Sequence, residues 1–218
     1  MSEKIVLAFS GGLDTSYCVL DLVQQGYEVH TAFVDTGGVD DAGRAEIRER
    51  AMSLGAAEHH EIDVAQAIWD EFVKPLVWSH ARMRGEYPLL CSDRYLIVRR
   101  CLELCDELGT RHFAHGCTGM GNDQLRFDQT VHSLGDYEIH APIRDLQSRV
   151  RAVRDYELKV MAEAGIEVED SASRYSINAN LLGVTISGSE IDDYQPPAED
   201  AWTMTAGRED WPAGSMQL

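Results

Sequence analysis

"LAFSGGLDTS", residues 7–16, closes an apolar run with two glycines, an acid and two hydroxyls. Residues 4–9 read as a short buried strand and residues 14–25 as a helix that stops at Gly26, so the quoted segment is a strand-to-helix turn. Glycines let backbone N–H groups face one point, the helix start adds partial positive charge, and Ser10, Thr15 and Ser16 supply hydroxyl donors. Two readings follow: a tight turn capped by Ser and Asp, or a cradle for an anion. The turn carries no G-x-x-x-x-G-K-[ST], and no lysine to meet a terminal phosphate. It is not G-x-G-x-x-G either, so the dinucleotide fingerprint is absent.

Residues 28–35 read as a second strand closed by Gly37-Gly38, and residues 41–54 as a helix ended by Gly55. A weaker strand is expected over 57–63. A helical pattern over 65–80 contains Pro75, which should kink or split it. Ser92 suits the N-cap of a long helix whose apolar stripe runs through Leu96, Ile97, Cys101, Leu104, Cys105 and Leu108 to Gly109. Further strands are expected at 111–115 and 137–143, with helices at 124–134 and 148–164. This alternation predicts an α/β fold, a parallel twisted sheet with helices on both faces. Its turns at the strands' carboxyl ends would then be the ligand edge. From residue 175 onward Gly, Ser, Asn and Pro accumulate, which predicts an extended C-terminal arm without its own core. The division expected is therefore 1–170 for the α/β domain and 171–218 for a segment leading to a second domain absent here.

Composition narrows the function classes. The 218 residues are 44% hydrophobic, enough for a real core. No apolar stretch approaches the roughly 20 residues a membrane span needs, and the first residues lack a signal-peptide pattern. A formal charge of −18 argues against nucleic acid or anionic lipid as partners. Five cysteines form no C-x-x-C pair; Cys101 and Cys105 share an apolar helical face and read as buried thiols, which suits a reducing, cytoplasmic setting. The eight histidines are scattered, and the adjacent His59 and His60 would point to opposite faces of a strand, a poor ligand pair.

A second glycine-bearing loop, "AHGCTGMGNDQLRF" at 114–127, puts three glycines in six positions at a strand end. Asn122 and Arg126 follow at i, i+4 on one helical face. An amide and a guanidinium there can read an α-amino acid's carboxylate, while Asp123 can receive an ammonium group. The alternative is a glycine turn capped by Asn and Asp, with Arg126 solvated.

The pattern S-G-G-x-D-[ST]-S resembles the PP-loop of the ATP pyrophosphatase superfamily, which implies a cradle for the β,γ-pyrophosphate that leaves the α-phosphorus open. Together with "GYEVHTAFVDTGG", "EYPLLCSDRYL", "APIRD" and "YSINANLLGVTISG", the two loops resemble the argininosuccinate synthase family over about residues 5–188. That family joins citrulline to aspartate with ATP through a citrullyl-adenylate, releasing AMP and pyrophosphate. The resemblance implies that Ala8, Phe9, Ser10, Gly11, Gly12, Leu13, Asp14, Thr15 and Ser16 hold ATP, with Val34 beside the adenine and Gly116 near the nucleotide. It implies Tyr87, Ser92, Asn122, Arg126, Ser176 and Thr185 as citrulline contacts, and Thr118, Asn122 and Asp123 as aspartate contacts. Mg2+ would accompany the polyphosphate, with Asp14 a candidate for metal or water contact. A homo-oligomer is implied for the full-length enzyme.

Several positions depart from the family pattern. Met120 replaces a common lysine, "SDRYL" shifts the arginine to Arg94, Ala179 stands where an acid is usual, and Thr185 replaces a serine. Family members are about twice this long. A truncated, non-catalytic ATP- or amino-acid-binding relative is therefore the alternative. A tRNA-modifying PP-loop enzyme is disfavoured by the charge and the absence of paired cysteines.

Overall fold

Strand β1 (Lys4–Ala8) is buried at four of its five residues and sits at the centre of a five-stranded sheet. The sheet runs β3-β2-β1-β4-β5, with β2 at Glu28–Asp35, β3 at Glu58–Asp63, β4 at His112–His115 and β5 at Glu138–His140. All four pairings are parallel. The computed structural model describes residues 2–82, 84–86, 90–166, 176–187, 195–196, 198–201, 207, 211 and 214.

Alternation along β1 divides the core. Ile5 and Leu7 pack with Tyr17, Val19 and Leu22 of helix α1 (Leu13–Gln24). Ala51 of α2 (Asp41–Ser53), Ile143 and Leu146 of α7 (Pro142–Arg149) and Met161 of α8 (Val153–Glu163) complete that face. Val6 and Ala8 pack on the opposite face with Leu96, Val98 and Cys101 of α5 (Asp93–Leu108) and with Phe127 and Val131 of α6 (Asn122–Leu134). The expected parallel sheet with helices on both faces is present. Because the chain fills β1, β2 and β3 outward and then returns to β4 and β5, the strand order reverses between β1 and β4. In such sheets that reversal opens a crevice at the carboxyl edge.

Several local expectations need correction. The helical stretch is interrupted just before Pro75, as expected, but not broken: α3 (Ala65–Ile68) passes through a π turn at Trp69–Val73 into α4 (Lys74–Ser79). The wider turn directly before the proline accommodates its missing N–H without a break. Ser92 stands at the N-cap position of α5, but its backbone is already helical (φ −66°, ψ −22°) after a short 3-10 turn and its side chain makes no cap bond. Strand β5 ends at His140, since Pro142 opens α7 at a position suited to proline. The single helix expected over 148–164 is two, divided where Val150 turns extended. The C-terminal segment is not a bare arm either: β6 (Ser176–Asn180) and β7 (Gly183–Ser187) form an antiparallel hairpin. It docks on the end of β2, where Leu181 N donates to Thr36 O at 2.9 Å. Gly38 faces the hairpin backbone so closely that a Cβ would sit 2.2 Å from Ala179 O.

Candidate functional site

Two loops leave the carboxyl edge on either side of the β1–β4 reversal. The first begins at Phe9, whose N–H still bonds Ala32 O at 2.9 Å. Gly11 then turns to φ +77°, and a Cβ there would lie 2.8 Å from Ile47 Cγ1, so both backbone and space call for glycine. Arg50 Nη1 donates to Gly11 O at 2.6 Å, which ties the loop to α2 through a carbonyl. Gly12 starts α1 with no side-chain cap. Ser10 Oγ lies 3.2 Å from Thr15 Oγ1, Thr15 Oγ1 donates to Gly12 O at 3.3 Å, and the buried Ser16 Oγ has no partner among the described residues. The result is an uncapped helix start ringed by three hydroxyls, an arrangement suited to an anion.

The second loop is braced from behind. His115 is buried at the end of β4; its Nδ1 accepts from Cys117 N at 3.1 Å and its Nε2 lies 3.1 Å from Asp128 Oδ1. A backbone donor on Nδ1 fixes the proton on Nε2, which donates to Asp128. The His115 hydrogen bond, supported by Arg144 at 3.0 Å, holds the Asp128 carboxyl below its ordinary range. Gln147 Oε1 accepts from Gly119 N at 2.6 Å. Thr118 Oγ1 donates to Met120 O at 2.6 Å, and Met120 is exposed. At Gly116 the two loops meet: a Cβ there would stand 3.0 Å from Thr15 Cγ2.

A polar chain then links the start of α6 to the hairpin. Arg126 Nη1 donates to Asp123 Oδ1 at 3.0 Å, and Arg94 Nε reaches Asp123 Oδ2 at 3.4 Å. Arg94 Nη1 also donates to both oxygens of the buried Asp93 at 2.9 Å, and Asn180 Nδ2 donates to Asp93 Oδ2 at 2.8 Å. Asp123 and Arg126 thus pair with each other, while Asn122 beside them is exposed. Arg94 is a member of this network. No local pattern marks Asp93, Asn180, His115, Asp128 or Arg144 as supports of the site, because apart from Asp93–Arg94 their pairings join residues distant in the chain.

The remaining candidates fall as follows. Ala8, Phe9 and Val34 are buried at the ends of β1 and β2, and the Val34 side chain lies in the core. Leu13 packs partly against the α1 face of the core. Ser92 is buried, its Oγ without a partner among the described residues, immediately before Asp93. Thr185 is exposed on β7 opposite Asn178, on the hairpin face that also carries Asn180. Ser176 pairs with Ser187 in the hairpin register. Tyr87 lies outside the described residues. Asp14, in the first turn of α1, has its carboxyl pushed up by burial, which Arg154 of α8 partly offsets. Burial, with Asp14 adding repulsion, pushes Glu157 on the same helix up to about 8. A carboxyl so disposed is a weak first choice for Mg2+, which prefers ionised oxygen ligands and bound phosphates.

A parallel sheet with two glycine loops at its switch point defines an α/β domain of the HUP and PP-loop type. The profile described as "Arginosuccinate synthase N-terminal HUP domain" matches residues 4–167, and the chain belongs to that family. It is 54% identical over 217 residues to the argininosuccinate synthase of Xanthomonas campestris pv. campestris, covering 100% of this chain and 55% of that protein. Against the argininosuccinate synthase of Methanocaldococcus jannaschii the identity is 38% over 209 residues, covering 93% of this chain and 51% of the relative. The chain spans about half the length of the curated relatives it matches. A solved structure titled "predicted subunit of tRNA methyltransferase", also from Methanocaldococcus jannaschii, overlaps 75% of this chain and 89% of its own. Its TM-score of 0.48 and 16% identity are too low to bear on function.

Proposed function

We propose that this chain is the nucleotide-binding part of an argininosuccinate synthase, which activates citrulline with ATP and passes it to aspartate. The observation that carries the reading is the contact of the two glycine loops at Gly116 and Thr15, directly over the β1–β4 switch point. ATP enters with its polyphosphate against Ser10–Ser16, where the hydroxyls of Ser10, Thr15 and Ser16 and the start of α1 favour negative charge. The ureido oxygen of citrulline attacks the α-phosphorus and pyrophosphate leaves; the aspartate amine then displaces AMP. The protein orients these groups and stabilises developing charge, with no covalent step of its own. Mg2+ travels with ATP as part of the substrate, bound chiefly by phosphate oxygens.

In this reading Arg126 and Asp123 hold each other until amino-acid substrates arrive, and Asn122 offers its exposed amide. Ser92, next to Asp93, and Thr185, on the hairpin face that carries Asn180, are citrulline contacts in this reading, together with Ser176 and Tyr87. The domain division at about residue 170, a homo-oligomer in the full-length enzyme and a cytoplasmic location belong to the same proposal. Calorimetry with ATP and Mg2+, followed by assay of AMP, pyrophosphate and argininosuccinate with citrulline and aspartate, tests it. Micromolar nucleotide binding supports the nucleotide-binding reading, and turnover once the remaining half of a synthase is supplied supports the ligase reaction. Binding with no turnover even then marks a non-catalytic relative, and no nucleotide binding overturns both.

A further inference from the structure

The edge of the sheet opposite the glycine loops carries two side-chain clusters built to one plan. On one wing, His30 of β2 pairs in register with Glu58 of β3, and His60 follows two residues on. His30 Nδ1 lies 3.2 Å from His60 Nε2, and each of these nitrogens lies 3.7 Å from Glu58 Oε2. On the other wing, His112 of β4 pairs in register with Glu138 of β5, and His140 follows two residues on. His112 Nδ1 lies 3.1 Å from His140 Nε2 and 3.4 Å from Glu138 Oε2, while His140 Nε2 lies 3.6 Å from Glu138 Oε1. Each wing therefore presents a histidine facing a Glu-x-His on its parallel neighbour. His30 shares its sheet face with Ala32 and Val34 of the α5 side, and His112 shares its face with Ala114 of the α1 side. The two clusters are thus related by a pseudo-two-fold along β1.

These triangles have the dimensions of a metal's coordination face. Four tetrahedral ligands at about 2.0–2.1 Å from a zinc-type ion stand roughly 3.3–3.4 Å from one another. A histidine–histidine hydrogen bond alone accounts for one edge of each triangle, but not for a carboxylate closing both other edges twice in identical register. Orientation from behind adds to this. His30 Nε2 lies 3.2 Å from Glu28 Oε1, and His112 Nε2 lies 3.7 Å from Glu3 Oε2. On His30 the Glu28 carboxylate holds the proton at Nε2 and turns the Nδ1 lone pair toward the centre, as metal-binding histidines require. Glu3, beyond hydrogen-bond reach of His112, adds only its charge. Glu58 and Glu138 are 60% and 65% exposed, so solvent reaches each centre and a water can complete the set. Two imidazoles and a carboxylate select zinc-like transition metals over Mg2+ or Ca2+.

We propose that this chain binds two divalent transition-metal ions of zinc type, one held by His30, Glu58 and His60 and the other by His112, Glu138 and His140. Each ion ties an edge strand to its inner neighbour. Strand β5 is three residues long and β3 has no fully buried residue, so both gain from such a clip.

The test starts from chelator-treated protein titrated with Zn2+ by calorimetry, and with Co2+ by visible absorption. Two ions per chain are expected, with Kd of about 1 µM or tighter, and with the intense visible bands of tetrahedral Co2+. His60→Gln and His140→Gln should each remove one ion and the double variant both, while His132→Gln, away from either cluster, changes nothing. Because Glu58 and Glu138 are exposed, Glu58→Gln and Glu138→Gln keep the fold and should weaken their sites about tenfold or more. Failure to bind Zn2+, a single ion per chain, or two ions retained in the double histidine variant overturns the proposal.

Discussion

Gly116 approaches Thr15 so closely that a Cβ on it would stand 3.0 Å from Thr15 Cγ2 and 3.3 Å from the Thr15 backbone nitrogen. The loop after β4 therefore lies directly on the first turn of α1. An alanine at 116 requires one of the loops to give by a few tenths of an ångström. The expected outcome for Gly116→Ala is an unfolding midpoint little changed, because no core residue moves. ATP affinity falls about tenfold, or 1.4 kcal/mol, since the donors around Ser10–Ser16 no longer share one centre with the second loop. Calorimetry alongside thermal unfolding checks it; unchanged ATP affinity would break the link between loop contact and binding.

The buried Asp93 is the hub between the hairpin and α5. Removing its carboxylate in Asp93→Ala leaves the Arg94 guanidinium, only 8% exposed, without its main counter-charge. Loss of one partner of a buried ion pair costs about 3–5 kcal/mol, read as a lower denaturant midpoint. Asn180→Ala loses the bonds to Asp93 and to Leu182 N, at about 1–2 kcal/mol. It acts locally, so amide exchange should accelerate over 176–187 while β1 and β4 stay protected. Uniform acceleration across the sheet would contradict a docked hairpin.

What was legible in the sequence was local. Residues 4–9 and 28–35 announce buried strands by apolar and β-branched runs, and the glycines at 11 and 116 announce loops that side chains would obstruct. Pro142 was also a local signal, since proline favours the first helical turn, yet the apolar Ile143 beyond it extended the expected strand. The hairpin was illegible because its anchor, Asn180 to Asp93, spans 87 residues. The paired histidines were illegible for the same reason. His59 and His60 do point apart, with His59 Nδ1 2.8 Å from Thr31 Oγ1, but His60 finds His30 only once the β2–β3 register is known. Glu-x-His at 28–30, 58–60 and 138–140 was a repeated local sign.

The thiols give a chemical test of the core. Burial pushes the Cys18 and Cys101 thiols up, and those of Cys105 and Cys117 up to about 12. A thiol with so little thiolate is a poor nucleophile at neutral pH. Native protein at pH 8 should therefore take a thiol-selective label at Cys91 alone among its five cysteines, and at all five after denaturation. Rapid native labelling of Cys101 or Cys105 would show that α5 does not pack on the sheet as described.

Glu157 makes stability depend on pH in an unusual direction. Its carboxyl is held at about 8 in the folded protein, mainly by burial and then by Asp14, against an ordinary value of 4.5. Its Oε1 has no hydrogen-bond partner among the described residues, so ionisation leaves a buried charge that Arg154 offsets only in part. Between these values the folded state holds the proton more tightly than the unfolded state does. This group's contribution is therefore fully present below pH 4.5 and is lost as pH rises to about 8. Glu157→Gln stays neutral, so its midpoint should exceed that of the parent by roughly 5 °C at pH 8 and converge with it near pH 5. Thermal unfolding of both proteins across this range decides the matter. A parent and variant that run parallel from pH 5 to pH 8 would mean that Glu157 reaches solvent or a cation when it ionises.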